Sequence, residues 1–571
     1  MNPANLDRYI TYAMLVAALF IYAFHSSSII EYAYDDAFIS MRYAENLANG
    51  NGLVYNVGER VEGYTNFLWT LILAAVIKLG GDPLIFAKGF GIFFALATMI
   101  ITFRFANFIS GESGWRNALP VLFLACSGPF VAWAQWGLEG GMFTFFAILA
   151  IFFFLKSLRT GLTFAYTSIL FVIATMTRPE GVIFFAITVA YYFLIAYRGW
   201  KLMRRAEKKD GEGEGQDGEK LPKGDLAAQV RLDQLPIRIA QLVAPYVVIY
   251  GIYFIWRFTY YGYPYPNTYY VRMAGSFGAY MDQWVRGLKY IFDFTWRGGG
   301  AVIVVLVALL WVVNRPRRRS ALSFLSIFCI IPIVYSMHVG GDSKHLYRLL
   351  MPYLPIFYIL VSQSLSWIYR LAVETKPTRR IRRLGTASFI GFVALLMLYT
   401  YTFPTLIYFA GGERGIPKWD LLRGRTKAHE AVLGYERQKR LFGEWLREHA
   451  PKGTTIATTV AGVTPYYSKL PTYDMLGVTN EHIAHTEPQP NRMVALDIKA
   501  TGLYRPEGIV ENILITSHQK SDNEYIARQN PTIIIEGADI AFKKAGYKPF
   551  RLITDKFTQI YYAKKEVQFL K

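Results

Sequence analysis

Long apolar runs separated by short polar connections dominate the first 410 residues of this 571-residue chain. A helix needs about 20 apolar residues to cross a bilayer, and the shorter runs are included because charged or turn-forming residues flank them. The pattern predicts eleven membrane-spanning helices, and a further run at 66–80 is interpreted as a re-entrant or interfacial helix. The predicted spans are residues 9–30, 84–109, 116–135, 141–157, 162–177, 180–198, 239–260, 299–314, 320–337, 349–371 and 385–409.

Beyond residue 410 the apolar runs give way to short β-prone segments separated by turn-forming residues. This mixture predicts a compact α/β domain at 411–571 that follows a membrane domain at 1–410. The predicted strands lie within 454–477, 531–537 and 557–565, and the predicted helices at 427–449 and 537–545.

The composition supports this division. Hydrophobic residues make up 53% of the chain and aromatic residues 16%, with a mean hydropathy of +0.23, values typical of polytopic membrane proteins. The formal charge of +20 comes from Lys and Arg clustered in the connections, which is typical of cytoplasmic loops and argues against a nucleic-acid partner. Both cysteines, Cys126 and Cys329, lie inside apolar runs, so no disulfide framework is predicted.

Three basic connections, at 198–238, 315–319 and 376–383, orient the chain. The positive-inside rule places them in the cytoplasm, with the N-terminus inside and the first run a retained span rather than a signal peptide. Within the loop at 199–238, residues 204–225 are charged and Gly-rich, which predicts a flexible segment, with a regulatory arm as the alternative. The polar loops that fall outside include 31–83, WGLEGG (136–141), TRPEG (177–181), YGYPYPNTYY (261–270) and GGDSKHLYR (340–348), together with the C-terminal domain.

Two adjacent carboxylates, Asp35 and Asp36, lie about one helical turn past the end of the first apolar run. Carboxylates beside hydrocarbon are unfavourable unless they are paired, solvated or used, so the pair is a candidate functional site. The alternative is that the acids only cap the helix that follows, since Asp is favoured at helix N-termini. Further polar side chains near span ends on the same face are predicted to bind substrate. They are Glu62, Tyr64, Asn66, Trp136, Glu139, Arg178, Glu180, Asn267, Tyr269, His338, Asp342, Lys344, His345 and Arg348.

Clustered positive charge at Lys344, His345 and Arg348 suits a phosphate group, with Arg as a bidentate donor. The alternative for this loop is a basic segment attracted to lipid head groups, and for Arg178 a snorkelling anchor at a helix end. No His, Cys or Asp constellation has metal-ligand spacing, so no cofactor and no metal site is predicted, and a divalent metal stays an open alternative.

The stretch DDAFISMRYAENLANGNGLVYNVGERVEGYTNFLW, residues 35–69, resembles the first extracytoplasmic loop of the GT-C superfold of glycosyltransferases. More narrowly, the acid pair followed by RYAxNLxxGxGxVxNxGERVExxT is similar to the mycobacterial terminal β-(1→2)-arabinofuranosyltransferases. The resemblance implies a GT-C-like membrane domain in a prokaryotic plasma membrane and a role in cell wall biogenesis. It implies a polyprenyl-phosphate sugar as donor and a polysaccharide or glycolipid as acceptor. Asp35 is the implied base, with Asp36 in support.

The residues and the resemblance predict the same chemistry. A carboxylate must accept the proton of the attacking hydroxyl, and positive side chains must stabilise the departing phosphate, which suits a single displacement with inversion. The alternatives are a lipid-linked sugar transporter or flippase and a transferase of another head group such as phosphoethanolamine. Transporters usually contain repeated halves, and the absence of an internal repeat in this sequence argues against a transporter. Arabinofuranose is the sugar that the resemblance favours, while the sequence leaves sugar and acceptor open.

In the C-terminal domain, residues 462–485 resemble a segment that recurs after the last span in relatives. Aromatic and short polar side chains there suit either a carbohydrate surface or the core and turns of the domain. The residues concerned are Tyr466, Tyr467, Asp474, Asn480 and His482.

Overall fold

The computed structural model describes residues 3–211, 226–273, 277–297, 300–313, 321–342, 346–375, 378–409, 427–487, 520–535 and 539–570. Within these ranges, sixteen α-helices begin before residue 410. They are α1 (Pro3–Ile29), α2 (Asp35–Ala48), α3 (Phe67–Lys78), α4 (Pro83–Ser110), α5 (Leu119–Cys126), α6 (Gly128–Gln135), α7 (Gly140–Thr160), α8 (Ala165–Thr177), α9 (Gly181–Gly211), α10 (Leu235–Tyr261), α11 (Asn267–Arg272), α12 (Phe277–Arg297), α13 (Gly300–Val313), α14 (Ala321–Val339), α15 (Leu354–Tyr369) and α16 (Arg379–Phe409).

Eight helical segments among the described residues are long and apolar enough to cross a membrane, and two bent helix pairs raise the number to ten. The prediction of a multi-spanning helical membrane protein is therefore confirmed, with eight to ten candidate spans in the described residues beside the eleven predicted for the chain. One predicted span, 116–135, is divided into α5 and α6, which meet at 62°. The break falls before Pro129, which has no N–H to continue the helix. Another, 162–177, is the 13-residue helix α8, about 20 Å long and shorter than the hydrocarbon layer of about 30 Å.

The short run predicted as a re-entrant or interfacial helix forms α3. Its 12 residues span about 18 Å, so α3 is too short to cross a bilayer on its own. It packs against α2 and α4, and Gly80 at φ +83° ends the turn before Asp82 caps α4. The first loop therefore returns to the face on which it began, provided that α1 spans the membrane.

The C-terminal part contains α17 (Lys427–His449), which matches the predicted helix, and a five-stranded mixed sheet. The strand order is β2-β1-β3-β5-β4, with β1 parallel to β2 and β3 and the other neighbours antiparallel. The predicted α/β fold is thus present in the described residues, and 488–519 lie outside them. The strands are β1 (Ile456–Thr458), β2 (Thr472–Asp474), β3 (Ile533–Ile534), β4 (Lys548–Ile553) and β5 (Thr558–Ala563). The short helices are α18 (Val463–Ser468), α19 (Glu481–His485), Asn523–Arg528 and Ile540–Lys544.

Helix α2 carries the acid pair and is held rigidly. Its residues 37–44 are buried, and the helix ends where Gly50 adopts a φ of +81° that other residues rarely reach. The Tyr43 hydroxyl donates to the Val61 carbonyl at 2.6 Å and accepts from the Gly63 N–H at 2.8 Å. Burial and these bonds fix the direction in which the first turn of α2 presents its carboxylates.

Candidate active site

The acid pair lies in the first turn of α2, and both carboxylates have partners outside that helix. Tyr34 is the N-cap residue and makes no capping hydrogen bond through its side chain. Asp35 accepts a hydrogen bond from the Val463 N–H at 2.8 Å. Asp36 forms an ion pair with Arg348 at 3.3 Å. Capping of α2 alone therefore does not account for the pair, because each acid contacts a distant segment of the chain.

Arg348 lies between two carboxylates. Its Nε donates to Asp342 at 2.8 Å, and its Nη1 donates to Asp36 at 3.3 Å. The Asp342 side chain is fully buried, whereas that of Asp36 is 29% exposed. The guanidinium thus has one buried carboxylate partner and one that solvent or a ligand can reach. Lys344 and His345, predicted to complete a phosphate cluster with Arg348, lie outside the described residues.

A second buried cluster surrounds Arg178. Its guanidinium pairs with Glu139 at 2.9 Å and with Glu180 at 2.6 Å. The Asn66 amide donates to Glu139 at 2.7 Å, and the Tyr335 hydroxyl donates to Glu180 at 3.1 Å. This geometry differs from that of a snorkelling anchor, because the guanidinium is enclosed by carboxylates rather than directed to water. Four of the predicted site residues thus form one network of ion pairs and hydrogen bonds, namely Asn66, Glu139, Arg178 and Glu180.

Arg178 and Glu180 form a charge-assisted pair inside this network. Arg178 donates to Glu180 through Nε at 3.3 Å and through Nη2 at 2.6 Å, and such charge-assisted bonds stabilise both charged groups. Arg178 also lies within electrostatic range of Arg348, the partner of Asp36.

A third cluster contains Glu62 and a residue that the sequence analysis did not single out. Both Glu62 carboxylate oxygens accept from Arg257 Nε at 2.8 Å. Burial raises the pKa of Glu62 to about 7, although Arg257 acts in the opposite direction. The Glu62 carbonyl accepts from the Asn267 N–H at 2.9 Å, and Tyr64 contacts Tyr261 through their hydroxyls at 3.1 Å. The sequence did contain a signal for Arg257, because an ionisable residue inside an apolar run indicates a buried partner or a functional site.

The remaining described candidates, Trp136, Tyr269 and His338, have different surroundings. Trp136 is buried and packs edge-on against Tyr32 at 4.6 Å, which makes it part of the aromatic core below the acid pair. Tyr269 stacks on Tyr265 at 4.4 Å in the connection after α10. His338 is exposed at the end of α14. The predicted residues thus fall into separate clusters.

The C-terminal domain docks on the first loop mainly through main-chain atoms. Arg42 of α2 is buried and donates to the carbonyls of Pro465 and Leu470, each at 2.8 Å. The Tyr55 hydroxyl donates to the Ala461 carbonyl at 2.6 Å. The sequence analysis missed the role of Arg42, although it lies in the motif quoted there, because its partners are more than 400 positions away.

The same contact brings the C-terminal domain onto Asp35. Gly462 packs so closely that a Cβ at this position would collide with the main-chain oxygen and the carboxylate of Asp35. The next residue, Val463, supplies the N–H that Asp35 accepts, and Lys469 forms an ion pair with Glu45 at the rim of the interface. One carboxylate of the pair is therefore positioned by both domains.

Most of the candidates within 462–485 have structural roles. Tyr466 and Tyr467 pack against a phenylalanine of α2, with ring centroids 5.5 and 5.6 Å apart. Asp474 is buried and accepts from two backbone N–H groups of the turn that follows β2, and Asn480 caps α19. For these four residues the geometry favours the core and turn interpretation over a carbohydrate surface.

Comparisons with known proteins bear on the fold and the family. Residues 429–569 match a family described as a domain of unknown function (DUF8728). The terminal β-(1→2)-arabinofuranosyltransferase of Corynebacterium glutamicum is 24% identical over 458 residues, which cover 72% of this chain. The match spans 57% of that relative's length.

Solved structures share the architecture. ArnT from Cupriavidus metallidurans, bound to undecaprenyl phosphate, superposes with a TM-score of 0.54 and 12% identity, covering 96% of this chain and 97% of ArnT. The archaeal oligosaccharyltransferase AglB from Archaeoglobus fulgidus, in complex with an inhibitory peptide and a dolichol-phosphate, superposes with a TM-score of 0.50 and 11% identity. The superposition covers 98% of this chain and 74% of AglB. These likenesses confirm the predicted GT-C-like fold, and the sequence match confirms the resemblance to terminal arabinofuranosyltransferases.

Proposed function

We propose that this protein is an inverting glycosyltransferase that moves a sugar from a polyprenyl-phosphate donor to an extracytoplasmic glycan or glycolipid. The observation that carries the proposal is the guanidinium of Arg348, held between buried Asp342 and accessible Asp36 beside Asp35. This arrangement provides a carboxylate and an anion-binding group at one place. The ligands named for two structures of the same fold, undecaprenyl phosphate and a dolichol-phosphate, support a lipid-linked donor.

Arg348 is the donor clamp in this proposal. Asp342 orients the guanidinium by accepting a hydrogen bond from Nε. Nη1 donates to Asp36 in this structure, and it is the group that would donate to a phosphate oxygen of the donor instead. Charge-assisted bonds of this kind are strong, and they stabilise the negative charge that grows on the phosphate as the glycosidic bond breaks. Exchange would also release Asp36 from the ion pair.

Asp35 is the base. The resemblance to the GT-C superfold favours the first acid of the pair as the base, and Asp36 contacts Arg348, the proposed donor clamp. The acceptor oxygen attacks the anomeric carbon while its proton passes to the Asp35 carboxylate. The bond from that carbon to the phosphate oxygen breaks, and its electron pair leaves on the polyprenyl phosphate, with inversion. Arabinofuranose is the sugar proposed, from the named relative.

A transfer assay tests this function. The purified protein in detergent is given synthetic polyprenyl-phosphate arabinofuranose and a soluble arabino-oligosaccharide. We expect a product one pentose heavier by mass spectrometry, with inverted anomeric configuration by NMR. A transporter or flippase would give no product, because moving a lipid-linked sugar forms no new glycosidic bond to the oligosaccharide. Absence of transfer with arabinofuranose and with other pentose and hexose donors would contradict the proposal.

The proposal includes an orientation with the N-terminus in the cytoplasm and α3 on the outer face. We expect Leu79→Cys to react with an impermeant thiol reagent added to intact cells, since Leu79 is 88% exposed at the end of α3. The matched control is Glu112→Cys, an exposed position between α4 and α5 on the proposed cytoplasmic face. It should react only after the membrane is opened. Both changes are made with Cys126 and Cys329 replaced by alanine, and the reverse labelling pattern would contradict the orientation.

A further inference from the structure

A small open pocket lies where the first loop, the connection after α10 and the C-terminal domain meet. The first loop contributes residues 60–62, the connection after α10 contributes residues within 261–270, and the C-terminal domain contributes Glu481. We call it the tyrosine pocket. Its lining includes Arg60, Tyr263, Tyr265, Asn267, Tyr270 and Glu481.

The aromatic side of the pocket is a set of rings that support one another. Tyr263 and Tyr270 lie edge to face at 5.8 Å, and His485 packs against both at 4.7 and 4.5 Å. Tyr265 stacks on Tyr269 at 4.4 Å while remaining 51% exposed. Rings held by neighbouring rings lose little conformational freedom on binding, so they present a preorganised apolar surface to a ligand.

The polar side of the pocket carries both signs of charge. Arg60 and Glu481 are exposed at the rim, and Glu481 accepts from the Tyr263 hydroxyl at 2.5 Å. Glu62 at the base is paired with Arg257 at 2.8 Å. Because no sign dominates among these groups, the pocket suits a neutral ligand that offers hydroxyl groups as donors and acceptors. A phosphate or a cation would find as much repulsion as attraction.

The pocket is braced by bonds that cross the domain boundary. The Asn267 amide donates to the Gly477 carbonyl at 2.6 Å, and its main-chain N–H donates to the Glu62 carbonyl at 2.9 Å. Through these two bonds, Asn267 holds the segment after α10 against the first loop and against the turn before α19. A ligand held here contacts both domains and favours their docked arrangement.

We propose that the tyrosine pocket binds a neutral sugar residue of a glycan, as a subsite separate from the acid pair. Sugars have apolar C–H faces that stack on aromatic rings and hydroxyl groups that need hydrogen-bonding partners, and this pocket supplies both. The inference rests on the proposed function in one respect: it identifies the bound glycan as the acceptor. Binding itself requires no catalysis.

The test measures affinity in the full-length protein in detergent by saturation-transfer NMR, with an arabinofuranose tetrasaccharide and maltotetraose as probes. We expect the wild-type protein to bind at least one of them. Tyr265→Ala and Tyr270→Ala should each weaken that binding by about three- to tenfold, the loss expected for one aromatic contact. Tyr265→Phe should stay within about twofold, because it keeps the stacking face.

The matched control is Tyr525→Ala, which removes a tyrosine stacked on His482 at 3.9 Å in the C-terminal domain and outside the pocket. It should leave the affinity unchanged. The proposal is overturned if neither probe binds, if the pocket variants bind like the wild type, or if inorganic phosphate displaces the probe. The wild-type protein separates the two hypotheses: binding of the probe without any transfer would refute only the proposed reaction. Transfer with unaltered binding in the pocket variants would refute only the pocket.

Discussion

Asp35→Asn is expected to lower the rate of sugar transfer by about 100-fold or more, the usual contribution of a positioned general base. Asparagine keeps the size of the side chain and can still accept the Val463 N–H at its amide oxygen, but it cannot accept a proton. Because the donor is proposed to bind at Arg348, its affinity should change little. The measurement is single-turnover transfer with saturating donor and acceptor, alongside donor affinity.

Two further variants make this prediction specific. Gly462→Ala leaves the carboxylate intact but introduces a methyl group that collides with Asp35, so it should also slow transfer while donor affinity is kept. Asp36→Asn should affect the rate less and alter donor affinity, since Asp36 contacts Arg348. If Asp36→Asn is the slower variant, the two roles are reversed. If both asparagine variants retain the wild-type rate, the acid pair is not catalytic.

Removing the charge of Arg348 is expected to weaken donor binding by about 10- to 100-fold, since a hydrogen bond to a charged group contributes about 1.5–3 kcal/mol. Arg348→Ala alone is a poor test, because it leaves the buried Asp342 carboxylate without its guanidinium and such losses destabilise the fold. The double variant Arg348→Gln with Asp342→Asn removes both charges together and keeps hydrogen-bonding groups in place. Its thermal unfolding should stay near that of the wild type while donor affinity falls.

Arg348→Lys should recover only part of the affinity, because lysine keeps the charge but lacks the planar fork that binds two oxygens. Arg116→Ala is the control, since it breaks an arginine–glutamate pair on the opposite, proposed cytoplasmic face. It should leave donor affinity unchanged. Wild-type affinity in the double variant would exclude Arg348 as the clamp and direct attention to Arg178.

The sequence predicted those features that depend on neighbouring residues. Apolar length is a local property, so most spans, the short helix α3 and the mixed α/β character of the C-terminal part were predicted. The acid pair was found because two carboxylates beside an apolar run are conspicuous. The bend between α5 and α6 was missed because the apolar run continues through it, and only the Gly-Pro dipeptide at 128–129 marks it.

The contacts that assemble the site could not be predicted, because they join positions far apart in sequence. Arg348 and Asp36 are 312 positions apart, and Val463 and Asp35 are 428. Topology placed such residues on one face, but it could not divide them into three clusters or assign Arg257 to Glu62. Nor could it show that a glycine of the C-terminal domain lies against the proposed base, since a close approach leaves no mark in composition.

Arg42 has a consequence for how proteins with this arrangement can diverge. Two of its three hydrogen bonds to the C-terminal domain are accepted by main-chain carbonyls, and the third by the Thr472 hydroxyl. Every residue type offers the same carbonyl, so mutations that exchange side chains on the facing segment leave those acceptors in place. A lineage could therefore change the chemistry of the C-terminal surface, and with it the glycan recognised, while inheriting an unchanged mode of docking. The amino acids at the two ends of this contact should accordingly evolve at different rates, slowly at the arginine and freely at the residues that accept from it.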